Sequence, residues 1–127
     1  CFDTTLEIIE PCGFHLDDKR LKKVAMDYLN KSKIITYKSY ENFLINKQNS
    51  RIILMTTKAK KNYHDFRFKP KDTILFGRES EGVPKTVHNK SYQSLKIPLK
   101  NNARSLNISI AVAITLSEAL KQNSILK

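Results

Sequence analysis

The chain predicts an α/β protein with a mostly parallel sheet flanked by helices. Three observations carry that expectation. Short β-branched apolar runs alternate along the sequence with stretches of helical spacing. One of those runs, Arg51 to Thr56 (RIILMT), is apolar at successive positions, as a parallel strand covered on both faces must be. The stretch Ile97 to Gln122 (IPLKNNARSLNISIAVAITLSEALKQ) then closes the chain as a strand end, a polar loop and the longest helix. At 127 residues this is one domain with room for a single core.

The elements follow in order. Thr5 to Ile9 (TLEII) is a short strand ended by Glu10-Pro11 and the turn residue Gly13. Asp17 caps a helix over 18–29, with Leu21, Val24, Ala25, Tyr28 and Leu29 on one face and Lys19, Arg20, Lys22 and Lys23 around the other. Lys33 to Tyr37 is a second strand, and Ser39 opens a short helix that turns Tyr40, Phe43 and Leu44 inward. Arg51 to Thr56 is the third strand. Thr57 to Lys71 is a long basic connection in which Tyr63, Phe66 and Phe68 interleave with Lys and Arg. Such aromatics either stack bases or staple the connection to the core, and the pattern leaves both open. Thr73 to Phe76 is the fourth strand, Pro84 begins a helical turn, and Leu95 to Ile97 is the last strand. The closing helix carries Ser105, Asn107 and Ser109 in its first turn and apolar groups on nearly every face, which predicts a buried helix.

Composition narrows the partners. Lys plus Arg number 23 against 12 acidic residues, a formal charge of +11, which attracts polyanions and nucleic acid first. An AT-rich genome that fills surface positions with Lys gives the same excess, so charge supports RNA binding without establishing it. Two cysteines, Cys1 and Cys12, and three scattered histidines, His15, His64 and His88, make no disulfide framework and no metal-ligand spacing. A reduced cytoplasmic protein with no structural metal and no membrane span is expected.

Two runs carry more than composition. Phe76-Gly77-Arg78-Glu79-Ser80-Glu81-Gly82 has the form Phe-Gly-x-Glu-x-x-Gly, and Ile97-Pro98-Leu99 is followed by Ser105-Leu106-Asn107-Ile108-Ser109-Ile110-Ala111. In this order and spacing they resemble the second and third signatures of the SpoU-type RNA 2′-O-ribose methyltransferases of the SPOUT superfamily. Ile9-Glu10-Pro11-Cys12-Gly13-Phe14, followed by Asp17-Asp18-Lys19-Arg20-Leu21, resembles the branch that methylates the wobble cytidine or uridine of tRNA. The resemblance covers nearly the whole chain. It implies a C-terminal trefoil knot, which periodicity cannot reveal, S-adenosylmethionine as cofactor, tRNA as substrate and a homodimer.

The resemblance also places a site. It implies cofactor contacts at Met55, Gly77, Ile97, Leu99, Ser105 and Leu106, catalytic roles for Ser105, Asn107 and Glu79, and RNA contacts at Arg104 and Lys58. The residue types suit this: Gly77 lets the main chain approach a ligand, and Met55, Ile97 and Leu99 offer apolar walls for an adenine. The family's first signature, Asn-x-Gly-Asn-x-x-Arg, has no counterpart in residues 1–127, so a strand and helix holding it are expected upstream in a longer protein. Ser117 stands where the wobble branch often has Tyr. A ribosomal RNA methyltransferase and a catalytically silent RNA-binding module of the same fold are the alternatives.

Overall fold

The computed structural model describes residues 2–10, 34–77 and 83–125. They fall into two compact units, Cys1–Gln48 and Asn49–Lys127. The helix expected over 18–29 lies outside the described residues, as do Cys1, Cys12, His15, Glu79 and Gly82.

In the first unit β1 (Leu6–Ile9) pairs in parallel with β2 (Ile34–Tyr37), Leu6 opposite Ile34 and Ile9 opposite Tyr37. Helix α1 (Tyr40–Asn46) begins where Ser39 predicts, because the Ser39 hydroxyl accepts a hydrogen bond from the Asn42 amide. Phe43 is buried, with its ring edge-on to Tyr37 and stacked on Tyr40. Glu7 accepts a hydrogen bond from the Tyr37 hydroxyl at 2.8 Å and pairs with Lys47 at 2.7 Å. That hydrogen bond, with burial and the carboxylate charge adding to it, raises the Tyr37 pKa above its ordinary value.

The second unit is a four-stranded parallel sheet in the order β4-β6-β3-β5. Strand β3 (Ile52–Met55) is buried at all four positions, as the run RIILMT requires of a central strand. It lies between β5 (Thr73–Phe76) and β6 (Gln93–Lys96). The last strand thus starts two residues before the apolar pattern places it and ends before Ile97. Main-chain pairing, not side-chain hydrophobicity, sets a strand's ends, and the polar pair Gln93-Ser94 faces Ile53 and Leu54 in the ladder. Strand β4 (Lys61–Asn62) is two residues long, too short and too polar to leave a periodic signal.

Helix α2 (Lys85–Lys90) follows Pro84 as expected. Helix α3 (Ile108–Gln122) closes the unit over about 22 Å. It departs from the sequence reading twice. Its first turn begins after Asn107, whose side-chain oxygen accepts from the Ser109 amide, so Ser105 and Leu106 precede the helix. It is also not buried all round: Thr115, Ala119 and Leu120 are buried, while Ile110 is 52% exposed. One face meets the core, where Ala119 joins Ile53, Met55, Phe66, Phe68 and Leu95. Thr115 is fully buried and satisfies its hydroxyl by donating to the Ala111 carbonyl at 2.8 Å.

The basic connection settles one open alternative. Phe66 and Phe68 are buried and meet edge to face, so these two aromatics staple the connection to the core. The end of α3 holds the same segment: the Phe68 amide donates to the Gln122 side-chain oxygen, and the Gln122 side-chain nitrogen donates to the Phe66 carbonyl, each at 2.9 Å. Arg51, just before β3, fixes the other side. Its guanidinium grips Asp72 through two nitrogens at 2.6 and 2.7 Å, donates to the Arg67 carbonyl, and lies over the rings of Phe66 and Tyr92. The Asp72 bond is the main reason its pKa rises above the ordinary arginine value. No helix among the described residues is long and apolar enough to cross a membrane.

Arg51→Ala leaves the Asp72 carboxylate, whose side chain is only 4% exposed, without its cation. The expected cost is about 3 kcal/mol of unfolding free energy, read by urea denaturation. A loss below about 1 kcal/mol would show that Asp72 is solvated by other means.

Candidate functional site

Parallel pairing places the predicted site. Met55 stands opposite Phe76 on one side and Leu95 on the other, so β3, β5 and β6 end side by side. The chain then leaves through three loops, at Thr56, Gly77 and Ile97. The main chain binds the first to its neighbour, with the Thr56 amide donating to the Leu95 carbonyl at 2.9 Å. The carboxyl ends of parallel strands are where open α/β sheets receive ligands.

The predicted residues divide by what the packing leaves them. Gly77 follows Phe76 directly and is half-buried, so a Cβ at that position would occupy the space beside the strand end. Ile97 packs against the core while remaining partly accessible, and Leu99 and Leu106 are also half-buried. These three offer apolar surface on one loop. Met55 differs: its side chain is 8% exposed and belongs to the core cluster, which leaves only its main-chain groups at the strand end.

The loop from Ile97 to Asn107 is short of regular structure but not of constraint. The Ala103 amide donates to the Lys100 carbonyl, and Asn107 caps α3. Ser105 and Arg104 are exposed on this loop, two and three residues before the cap. The helix start therefore anchors the end of the loop that carries Ser105. Glu79 lies outside the described residues. Among the described residues no three His, Cys, Asp or Glu side chains gather as a metal site.

Lys58 belongs to the first of these loops, two residues past Thr56, with its amide donating to the Thr56 hydroxyl. It is exposed on the turn after β3 and lines a cleft of about 400 Å³ with Thr56, Ala59, Lys60, Lys61, His88, Ser91, Tyr92, Gln93 and Ser94. Of the predicted site residues that the structure describes, only Lys58 lines this cleft. Sequence reasoning missed its far wall, Ser91 to Ser94, because a polar run before a strand looks like an ordinary loop. The exposed Tyr92 within that run is the one signal that was present.

Asn107→Ala removes the cap from the helix that anchors the loop. A loss of about 1 kcal/mol is expected in thermal or urea unfolding, with Asn107→Ser recovering most of it. Equal stability of all three proteins would remove Asn107 from the anchoring role.

The model of the SpoU rRNA Methylase family matches residues 1–117. The tRNA (cytidine(34)-2′-O)-methyltransferase of Beijerinckia indica is 39% identical over 125 residues, which are 96% of this chain and 78% of that protein. A solved structure described as giving structural insights into the 2-OH methylation of C/U34 on tRNA superposes with a TM-score of 0.89 at 31% identity, covering 96% of this chain and 80% of the other. The SpoU methyltransferase AviRb from Streptomyces viridochromogenes, solved in complex with the cofactor AdoMet, has a TM-score of 0.82 over 94% of this chain and 51% of its own; at 17% identity it shares the fold.

Proposed function

The chain belongs to the SpoU rRNA Methylase family, and on that premise we propose that it methylates the 2′-hydroxyl of a tRNA ribose, at the wobble nucleotide, using S-adenosylmethionine. The observation that carries the reading is the alignment of Met55 between Phe76 and Leu95, which brings the loops of both motif runs to one end of the sheet. The relatives that match over most of their length are tRNA (cytidine(34)-2′-O)-methyltransferases, which favours tRNA over ribosomal RNA.

The residues present fit the cofactor. Gly77 leaves open the space that any side chain would fill, and Ile97, Leu99 and Leu106 give an apolar surface for a flat ring. Met55 contributes main-chain groups at the end of β3. When bound, S-adenosylmethionine supplies an electrophilic methyl group. What remains for the protein is chiefly positional, because an aligned 2′-oxygen needs only modest help in losing its proton. Ser105, exposed on the loop that Asn107 ties down, orients the ribose hydroxyl. Glu79 answers the positive end of the cofactor, and Arg104 and Lys58 hold phosphates of the RNA.

A homodimer and a trefoil knot belong to the same reading. Action on tRNA suits a cytoplasmic setting.

Calorimetric titration of the complete protein with S-adenosylhomocysteine is expected to give one site per chain. Gly77→Val should abolish the heat while leaving the far-ultraviolet spectrum unchanged. In assays of tritium transfer to unmodified tRNA transcripts, nuclease mapping should place the label on the wobble ribose. Ser105→Ala should lower kcat about tenfold or more with little change in the KM for tRNA. Cofactor binding without transfer to any tRNA would identify a silent RNA-binding module instead.

A further inference from the structure

The cleft beside β6 is lined from two sides. One wall is the turn after β3, held by the Lys58 amide donating to the Thr56 hydroxyl and the Ala59 amide donating to the Thr56 carbonyl. This turn and the start of β4 present Lys58, Lys60 and Lys61, all exposed. Among the described residues none of the three is in an ion pair, and no carboxylate lines the cleft. The opposite wall runs from His88 to Ser94. It is fixed by the Ser91 hydroxyl donating to the His88 carbonyl at 2.8 Å and by the Tyr92 amide donating to the Ile52 carbonyl at 2.8 Å.

Tyr92 gives this wall its chemistry. The residue is 62% exposed, and the guanidinium of Arg51 lies 4.7 Å from its ring centroid. Arg51 is itself gripped by Asp72, so the ring rests on a fixed cation instead of swinging free. A rigid exposed aromatic across from three uncompensated lysines is the arrangement that binds an unpaired nucleotide: the ring stacks on a base of any identity while the ammonium groups neutralise the flanking phosphates. A volume of about 400 Å³ admits a ligand of that size.

We propose that this cleft seats an unpaired nucleotide of the RNA substrate other than the one that is methylated, with Tyr92 stacking on its base and Lys58, Lys60 and Lys61 on its phosphates. The proposal rests on the RNA-methyltransferase reading but concerns a surface that, among the described residues, shares Lys58 with the predicted site and adjoins it at Thr56. It explains a use for part of the +11 charge that diffuse attraction does not, because here the cations are gathered around an aromatic platform.

The test compares two triple variants of the complete protein with equal change of charge. Lys58→Gln/Lys60→Gln/Lys61→Gln empties the cleft of ammonium groups, and Lys69→Gln/Lys71→Gln/Lys121→Gln removes three exposed lysines elsewhere. Fluorescence anisotropy with a labelled tRNA transcript, measured from low to physiological salt, is expected to show the cleft variant weakened about tenfold, with the log–log salt slope reduced by about one to two, and the control variant weakened less than about twofold. Tyr92→Leu should weaken a single-stranded oligoribonucleotide about fivefold or more while leaving duplex binding and the salt slope unchanged. Arg51 keeps its Asp72 partner in that variant, so the fold is retained.

Equal losses in both triple variants would overturn the cleft in favour of diffuse charge. Displacement of the oligonucleotide by inorganic phosphate at matched ionic strength would reassign the cleft to a free anion and overturn it as well. Absence of methyl transfer by a parent protein that shows the cleft-dependent binding would count against the proposed reaction, not against the cleft.

Discussion

Parallel pairing along β3 is the constraint on which the rest of the second unit depends. Ile52 to Met55 is buried at every position, so both edges of this strand must find main-chain partners, and both do, in β5 and β6. Because the pairing is parallel, three chain segments far apart in sequence finish at the same level and release their loops together. A shift of one residue in either ladder would separate Phe76 or Leu95 from Met55 and turn each shifted side chain to the opposite face. The core residues Ile53, Met55 and Leu95, packed with Ala119 of α3, penalise such a shift.

Arg51 extends that order from the strand into the loops. One guanidinium joins Asp72, the Arg67 carbonyl and the rings of Phe66 and Tyr92. Gln122 and Asn123 hold the same Phe66–Phe68 segment from the end of α3. The later part of the basic connection, Phe66 to Asp72, is thereby fastened from two sides by polar groups that would be costly to leave unpaired. The lysines that precede Phe66 lead directly into this fastened segment. Lys61, within 5.7 Å of the Phe66 ring centroid, is the nearest of them to that anchor.

The site therefore divides its labour between rigidity and exposure. Strand ends supply fixed main chain at Met55 and Gly77, and the loop before α3 supplies exposed polar groups at Arg104 and Ser105 held at one end by the Asn107 cap. Preorganised main chain suits a cofactor that must be held in one shape, and exposed side chains suit a large polyanion arriving from solvent.

The amino-acid sequence by itself determined the α/β class, the placement of β1, β2, β3 and β5 within a residue or so, and the Ser39 cap, because each is written locally: β-branched runs, a both-faces-apolar strand, a hydroxyl before a helix. The two motif runs made the family legible for the same reason, since a glycine beside a strand end and a Ser-Leu-Asn run before a helix are local requirements of a site. Tertiary structure decided what locality cannot. It started β6 at Gln93, because a ladder takes its ends from the partner strand. It buried Phe66 and Phe68 as staples, because Gln122 and Arg51 lie more than a dozen residues away in sequence. It left Ile110 exposed on a helix whose composition promised burial, because composition states how apolar a helix is but not how many neighbours surround it. And it set Tyr92 against Arg51 across from three lysines, an arrangement made by two parallel strands meeting and by no sequence pattern.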